Sequence, residues 1–215
     1  MRTLFLFIRH GHSEANRDGY FGGQMINVRL TETGLKQAAL VSAYVQKHYV
    51  PDAIYASDLL RARQTAEAVA RPFSLPIQID PRLRELYGGL WDGLSYEIIG
   101  RDYPEDYALW QKDFGRVRPP EGETAADVQA RALTAIREIA EANENKTVVV
   151  VTHRGLLRTL QCAWEHRPIE EINQCAWLSN GSVTEVLFED GRLLPQKIGQ
   201  DDFMGDALTT VTTAM

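Results

Sequence analysis

Two histidines stand where short apolar runs give out. The run Leu4 to Ile8 ends in Arg9-His10-Gly11-His12-Ser13, and the run Thr147 to Thr152 ends in His153-Arg154-Gly155. A third run, Ala53 to Ala56, leads through Ser57 into a helical pattern that carries Arg61 on its first turn. Apolar or β-branched runs of this length read as buried strands, and in open α/β sheets ligands bind outside the carboxyl ends of the strands. Arg9, His10, Arg61 and His153 are therefore expected at one edge of the sheet, beside the exposed N–H groups that begin the following helices. Guanidinium forks, helix N-termini and imidazole are the groups that hold a phosphate dianion. A metal site built from His10, His12 and His153 fits less well, because two residues alternating on an extended loop bring no suitably placed acidic third ligand. Taken alone, His10 reads as an ordinary strand-end histidine, and only its company argues otherwise.

The elements that must position these groups follow from the hydrophobic pattern. Between the strand-like runs lie helical patterns over Glu32 to His48 after a Thr31 cap, Asp58 to Arg71 after a Ser57 cap, and about Thr124 to Asn143 after a Pro-Pro-Glu-Gly entry. Strands joined by helices pair in parallel, which gives an α/β fold. Ser95 to Phe114 looks helical but broken around Pro104, as an insertion over one end of the sheet spanning about residues 95–119. Ser182 to Glu189 and Arg192 to Ile198 flank Asp190-Gly191, a strong hairpin signal. One domain is expected over residues 1–200, followed by a polar, Thr-rich tail at 201–215 that is poorly ordered or draped over the surface.

Composition narrows the function classes. With 29 acidic against 23 basic residues and a formal charge of −6, no global field gathers nucleic acid, so a basic site must be local. The longest strictly apolar runs, Leu4 to Ile8 and Val148 to Val151, fall far short of the roughly 18 to 20 residues of a membrane span, so no membrane association is expected. The first of them is also too short for the core of a signal peptide, which leaves a cytoplasmic location as the default. Cys162 and Cys175 form neither a CxxC pair nor a metal spacing and read as buried thiols of a reducing compartment.

Six segments then recur in a meaningful order: Phe7-Ile8-Arg9-His10-Gly11-His12-Ser13-Glu14-Ala15-Asn16, Leu30-Thr31-Glu32-Thr33-Gly34, and Ala56-Ser57-Asp58-Leu59-Leu60-Arg61-Ala62-Arg63-Gln64-Thr65-Ala66 come first. Leu83-Arg84-Glu85 with Gly89, Trp91 and Gly93 follows, then Pro120-Glu121-Gly122-Glu123-Thr124, and last Val151-Thr152-His153-Arg154-Gly155. In order and spacing the chain resembles the histidine phosphatase superfamily, the phosphoglycerate mutase-like proteins. The resemblance implies a three-layer αβα sandwich with a mostly parallel central sheet. It makes His10 the nucleophile that becomes phosphohistidine, with Arg9, Arg61 and His153 on the phosphoryl group and Glu85 as proton donor. It also places Asn16, Gly22, Gly23 and Arg154 along the substrate pocket, and it implies neither metal nor cofactor. The chemistry is consistent, since neutral imidazole is a good nucleophile at pH 7 and fixed cations stabilise a phosphoryl transition state. A carboxylic acid beside apolar Leu86 and Trp91 is a suitable donor to a leaving alkoxide. Glu85 also admits a plainer reading as an ion-pair partner of Arg82 or Arg84. The chain departs from the family pattern at Arg154, where a small residue is common, and at His12, where glutamate is common.

The expected activity is hydrolysis of a small phosphorylated metabolite. The alternatives are a phosphoglycerate mutase of the same family and a phosphate-binding module without turnover. Mutases of this family carry a long basic insertion after the acid, whereas the segment between Glu85 and Pro119 is short and holds more acids than bases. Arg116 and Arg118 are the residues that would have to fold back as a clamp for the mutase reading to hold.

Overall fold

A computed structural model describes residues 2–206 and 208–210. Six strands form one sheet in the order β3-β2-β4-β1-β5-β6: β1 (Arg2–Arg9), β2 (Ala53–Ala56), β3 (Ile77–Ile79), β4 (Thr147–Thr152), β5 (Val183–Glu189) and β6 (Arg192–Gln200). β3, β2, β4 and β1 are mutually parallel, and the β5–β6 hairpin is added antiparallel along β1. Asp190 and Gly191 turn that hairpin with positive φ at both residues (49° and 79°), as a tight two-residue turn demands.

The pleat sorts the sheet into two apolar faces. Phe5, Phe7, Val148 and Val150 face α6 (Ala125–Ala142) and α7 (Arg154–Trp164), while Leu6, Ile8, Val149 and Val151 face α2 (Glu32–His48) and α3 (Leu60–Ala70). Both faces are covered, which is why the central strands read as unbroken apolar runs. The result is the expected three-layer αβα sandwich. β1 and β4 are neighbours, yet the helices that follow them cover opposite faces of the sheet. Their carboxyl ends therefore border a crevice, the place where open α/β sheets bind ligands.

Several elements differ from the sequence reading. Helix α3 begins at Leu60 rather than Asp58: Ser57 Oγ accepts only from Leu59 N (3.3 Å), and Asp58 is drawn into an ion pair with Arg84. The edge strand β3 and α1 (Glu14–Asp18) were too short for periodicity to reveal, at three and five residues. α1 is fixed instead by a capping box between Ser13 and Asn16.

The insertion forms α4 (Tyr96–Asp102) and α5 (Pro104–Lys112), with Pro104 in the first turn of α5. Its base is zipped to the loop after α1 by Phe21 N to Leu94 O and Gly93 N to Phe21 O, both 2.9 Å. Trp110 ties it down from within, packing edge-on against Phe21, Trp91 and Phe114. The described part of the tail is draped over the fold: Gln37 Nε2 donates to Leu208 O (2.6 Å) and Thr210 Oγ1 (2.9 Å), and Asn180 N donates to Thr210 O (3.2 Å). The rest of that expectation, at 207 and 211–215, lies outside the described residues. Cys162 and Cys175 are buried thiols with their sulfurs 3.5 Å apart, and that contact pushes the Cys162 thiol up. Among the described residues no helix is long and apolar enough to cross a membrane.

Candidate active site

The end of β1 is held by a set of hydrogen bonds. His10 N continues the ladder to Thr152 O (2.9 Å), while Gly181 N donates to the Arg9 and His10 carbonyls (3.0 and 3.3 Å). Asn180 Nδ2 reaches both His10 O and Asn16 Oδ1, each at 3.1 Å. Gly11 and Gly34 are required here, because a Cβ on Gly11 would lie 2.6 Å from Gly34 O and one on Gly34 2.1 Å from His12 O. Only glycines let the strand end and the start of α2 approach so closely. His12 works outside the pocket: its N–H donates to Gln37 Oε1 (2.7 Å) and its carbonyl accepts from Thr31 N (2.9 Å), so it fastens the strand end to α2.

His10 Nδ1 lies 2.8 Å from Gly11 O. A carbonyl only accepts, so Nδ1 carries the proton and Nε2 presents its lone pair. His153, the N-cap of α7, is fully buried, with its ring centroid 5.0 Å from that of His10. Neither of its ring nitrogens has a hydrogen-bond partner among the described residues. Arg61, on the first turn of α3, is 2% exposed and donates through Nη2 to Gly23 O (2.8 Å), leaving Nη1 without a partner among the described residues. Arg9 is equally buried and donates through Nη1 to Leu178 O (2.6 Å).

Burial and mutual repulsion set the protonation states. Burial is the main cause that lowers Arg9 to about 9 and Arg61 to about 10, with Arg154 adding to the effect on Arg9. Both stay charged at neutral pH. His10 is pushed well below the ordinary imidazole range by burial and then by Arg61 and Arg9. His153 is pushed the same way by burial, Arg61 and His10. Two buried cations beside two neutral imidazoles form a site that favours a bound dianion.

Glu85 faces this group from the other side. One carboxylate oxygen accepts from Leu86 N (2.9 Å) and the other from Gly155 N (3.2 Å) at the start of α7. The space exists because residue 155 is glycine: a Cβ there would meet Glu85 Oε1 at 2.3 Å. The ion-pair reading of Glu85 is not what the side chains do, since Arg82 binds Asp80 and Glu138 while Arg84 binds Asp58. The Glu85 backbone is instead gripped by Arg131. That guanidinium donates to the carbonyls of Arg82 (2.7 Å), Arg84 (2.8 Å) and Glu85 (2.9 Å) and pairs with Glu123.

Asn16, Gly22, Gly23 and Arg154 all line the same pocket as Arg9, His10, Arg61 and Glu85. His153 lies directly behind, against His10. The Gly22–Met25 loop is shaped by Asp92, which accepts from Gln24 N, Met25 N (both 2.8 Å) and Gly88 N (2.9 Å). A Cβ on Gly23 would overlap that carboxylate, at 1.6 Å. Asp92, Glu123, Arg131, Asn180 and Arg158 were not singled out from sequence. Trp91-Asp92-Gly93 and Glu123 sat inside recognised segments, but nothing local marked Arg131, Asn180 or Arg158. Arg116 and Arg118 do not line the pocket: Arg116 pairs with Asp113, and Arg118 with Asp127 and Gly122 O.

Comparison with known proteins agrees with this geometry. The family model of the histidine phosphatase superfamily (branch 1) matches residues 5–201. Phosphoserine phosphatase 1 of Hydrogenobacter thermophilus is 33% identical over 158 residues, 74% of either chain. A metal-independent phosphoserine phosphatase of Arabidopsis thaliana is 33% identical over 190 residues, 87% of this chain and 77% of that one. Among solved structures, YhfR of Bacillus stearothermophilus superposes with a TM-score of 0.90 at 30% identity, covering 94% of this chain and 99% of that one.

Proposed function

The chain belongs to branch 1 of the histidine phosphatase superfamily and is a phosphohydrolase, and from that premise we propose that it hydrolyses small phosphomonoesters without a metal, through a phosphohistidine on His10. The observation that carries this reading is the 2.8 Å contact of His10 Nδ1 with Gly11 O. It leaves the Nε2 lone pair as the nucleophile in a pocket that also holds Arg9, Arg61 and Glu85.

In the first step Nε2 attacks phosphorus while the ester P–O bond breaks. The departing oxygen takes its proton from the Glu85 carboxylic acid. Arg9 and Arg61 balance the charge on the equatorial oxygens. The incoming dianion also reverses the field at His153, favouring its proton and making it a further donor. The phosphorylated ring keeps its Nδ1 proton on Gly11 O, which stabilises the positive imidazolium. In the second step the Glu85 carboxylate takes a proton from water, the water oxygen attacks phosphorus, and the P–N bond breaks. Neutral His10 and protonated Glu85 are restored.

Hydrolysis is favoured over the mutase alternative by the placement of Arg116 and Arg118, neither of which lines the pocket. A silent binding module is disfavoured because a nucleophile and a proton donor both face the pocket.

The test is brief reaction with a labelled phosphomonoester and a base quench. Phosphate that is stable to base and released by acid is expected on His10, and none on a His10→Ala protein. Label on serine or aspartate, or activity lost to chelators and restored by Zn²⁺ or Mg²⁺, refutes the mechanism. Rapid isomerisation of 3-phosphoglycerate with negligible phosphate release refutes the hydrolase assignment.

A further inference from the structure

We propose that Cys162 and Cys175 form an oxidation site: a peroxide joins their sulfurs, and the disulfide ties the support of the α4–α5 insertion to α7. They are the two cysteines of the chain, so an intramolecular disulfide has no other place to form. Their sulfurs lie 3.5 Å apart across 13 positions of sequence. A disulfide bond is about 2 Å long, so an approach of roughly 1.5 Å is required. The two sides are unequally free to make it. Cys162 is fixed in α7 and fully buried, whereas Cys175 caps the short 3₁₀ turn Ile169–Gln174, whose hydrogen bonds are poorer than those of an α-helix. Cys175 is itself 3% exposed but stands between exposed Gln174 and Ala176, so local opening of the turn brings it to solvent. The contact with Cys162 draws the Cys175 thiol below the ordinary thiol range, and Arg158 and Arg167 act in the same direction against burial and Glu165. Cys175 is therefore the sulfur that meets the oxidant, and Cys162 the one that resolves it.

With hydrogen peroxide as the oxidant the chemistry balances. The Cys175 thiolate attacks one peroxide oxygen, the O–O bond breaks, and the departing hydroxide takes up the thiol proton as water. The Cys162 sulfur then attacks the Cys175 sulfenic acid; the S–S bond forms, the S–O bond breaks, and a second water leaves. Two thiols have lost two electrons and two protons, and the peroxide has become two waters. In a reducing compartment the pair rests as thiols, and disulfides formed there are transient reporters of oxidation. The turn so fastened supports the pocket wall. Arg158, which lines the pocket, donates through Nη2 to Ile172 O (2.7 Å) and Asn173 Oδ1 (3.1 Å). Asn173 Nδ2 in turn donates to Lys112 O (2.9 Å) at the end of α5. Gly115 is seated so closely on the turn that a Cβ there would lie 2.2 Å from Ile169 O. Trp110 on α5 and Phe114 just beyond it both line the pocket. Closing the loop between the cysteines removes freedom from the unfolded chain and from local opening of the turn, so oxidation stiffens that wall.

The experiment treats the full chain with hydrogen peroxide, counts thiols with a maleimide in denaturant, and maps the peptides before and after dithiothreitol; none of its readouts depends on turnover. Both thiols should become unreactive, a peptide linking Cys162 to Cys175 should appear, and reduction should restore both thiols. The linked protein should melt higher than the reduced one by on the order of 5 to 10 °C. Amide exchange should slow at residues 169–175 and also at 108–116. Thiols that stay reactive, oxygen added to one sulfur without linkage, or a disulfide between two chains overturns the site. An unchanged or lower Tm in the linked protein, or unchanged exchange at 108–116, overturns the fastening of the insertion. In Cys162→Ala, dimedone should trap a sulfenic acid on Cys175, and in Cys175→Ala both the linkage and the Tm shift should vanish. Trapping on Cys162 in Cys175→Ala, with none on Cys175 in Cys162→Ala, overturns the order of attack. If either variant fails to fold, oxidised against reduced wild-type protein still decides the linkage and the fastening.

Discussion

Replacing Gly155 by alanine separates what Glu85 does for chemistry from what it does for the fold. The added Cβ would stand 2.3 Å from Glu85 Oε1 and 3.2 Å from its carboxyl carbon. Ordinary contact begins near 3.5 Å, so the carboxylate must retreat by about 1 Å. It sits at the end of a flexible side chain, and the fold concedes little. One hydrogen bond, from Gly155 N at 3.2 Å, is weakened at a cost of about 1 kcal/mol. Residue 155 lies inside α7, where alanine is favoured over glycine by about 1 kcal/mol. These contributions nearly cancel, and thermal unfolding should show a Tm close to that of the parent. Activity should not be spared, because a reacting group displaced by about 1 Å costs roughly 100-fold. The loss should fall on alkyl phosphates, whose alkoxide needs the proton. Phosphorylation by nitrophenyl phosphate, followed as the burst of nitrophenolate in rapid mixing, should change far less. Glu85→Gln should show the same asymmetry, with a loss of roughly 10²- to 10⁴-fold for alkyl esters. Alkyl turnover within a few-fold of the parent, or equal losses for both ester types in that step, would refute the assignment of Glu85 as donor.

Other perturbations follow from the same geometry. His10 and His153 titrate below the imidazole value in the folded protein, so the unfolded chain binds more protons as pH falls below about 6.5. Stability is therefore full above about 6.5 and falls with acidification, by up to about 1.4 kcal/mol per pH unit for each histidine. Urea unfolding at pH 7 and pH 5 should show the fall, His153→Gln should reduce its slope, and a flat profile contradicts the buried neutral imidazoles. Arg61→Met removes a buried cation whose guanidinium donates to Gly23 O. It should raise the Tm of the ligand-free protein and abolish the further rise on adding inorganic phosphate; a persistent phosphate effect would exclude Arg61 from the anion site. Arg131→Met removes the cation that pairs with Glu123 and a donor from three carbonyls, and should cost about 3 kcal/mol in urea unfolding. It should also lower alkyl phosphate turnover, and full stability with full activity would show that the grip on Glu85 is dispensable.

The sheet and the residues at its strand ends were legible because their signals are local. Strands β2 and β4 have the bounds that their apolar runs announced. Ile77–Ile79 was not legible, since three residues hold too little pattern to tell a strand from a loop. The supports of the site were hidden for another reason. Arg131 lies on a long amphipathic helix and looks like a solvated charge, yet it bonds carbonyls 46 to 49 positions away. Asn180 touches His10 across 170 positions. Such contacts exist only once the chain has folded. Arg154 lines the pocket with its guanidinium 5.1 Å from the Trp177 ring.

The two ends of the pocket differ in how far they are woven into the molecule. Arg9, His10 and His153 continue central strands, and a change of backbone there would propagate through the whole sheet. The opposite wall hangs from α5, joined at Pro104 and seated by the ring of Trp110 among Phe21, Trp91 and Phe114. Heredity can therefore act on them at unequal rates. A lineage can lengthen, shorten or redecorate the α4–α5 segment while the aromatic seat keeps it attached, and each trial exposes a new alcohol to unchanged phosphoryl chemistry. In this architecture a shift in diet needs few steps, whereas a new reaction would require rebuilding the sheet.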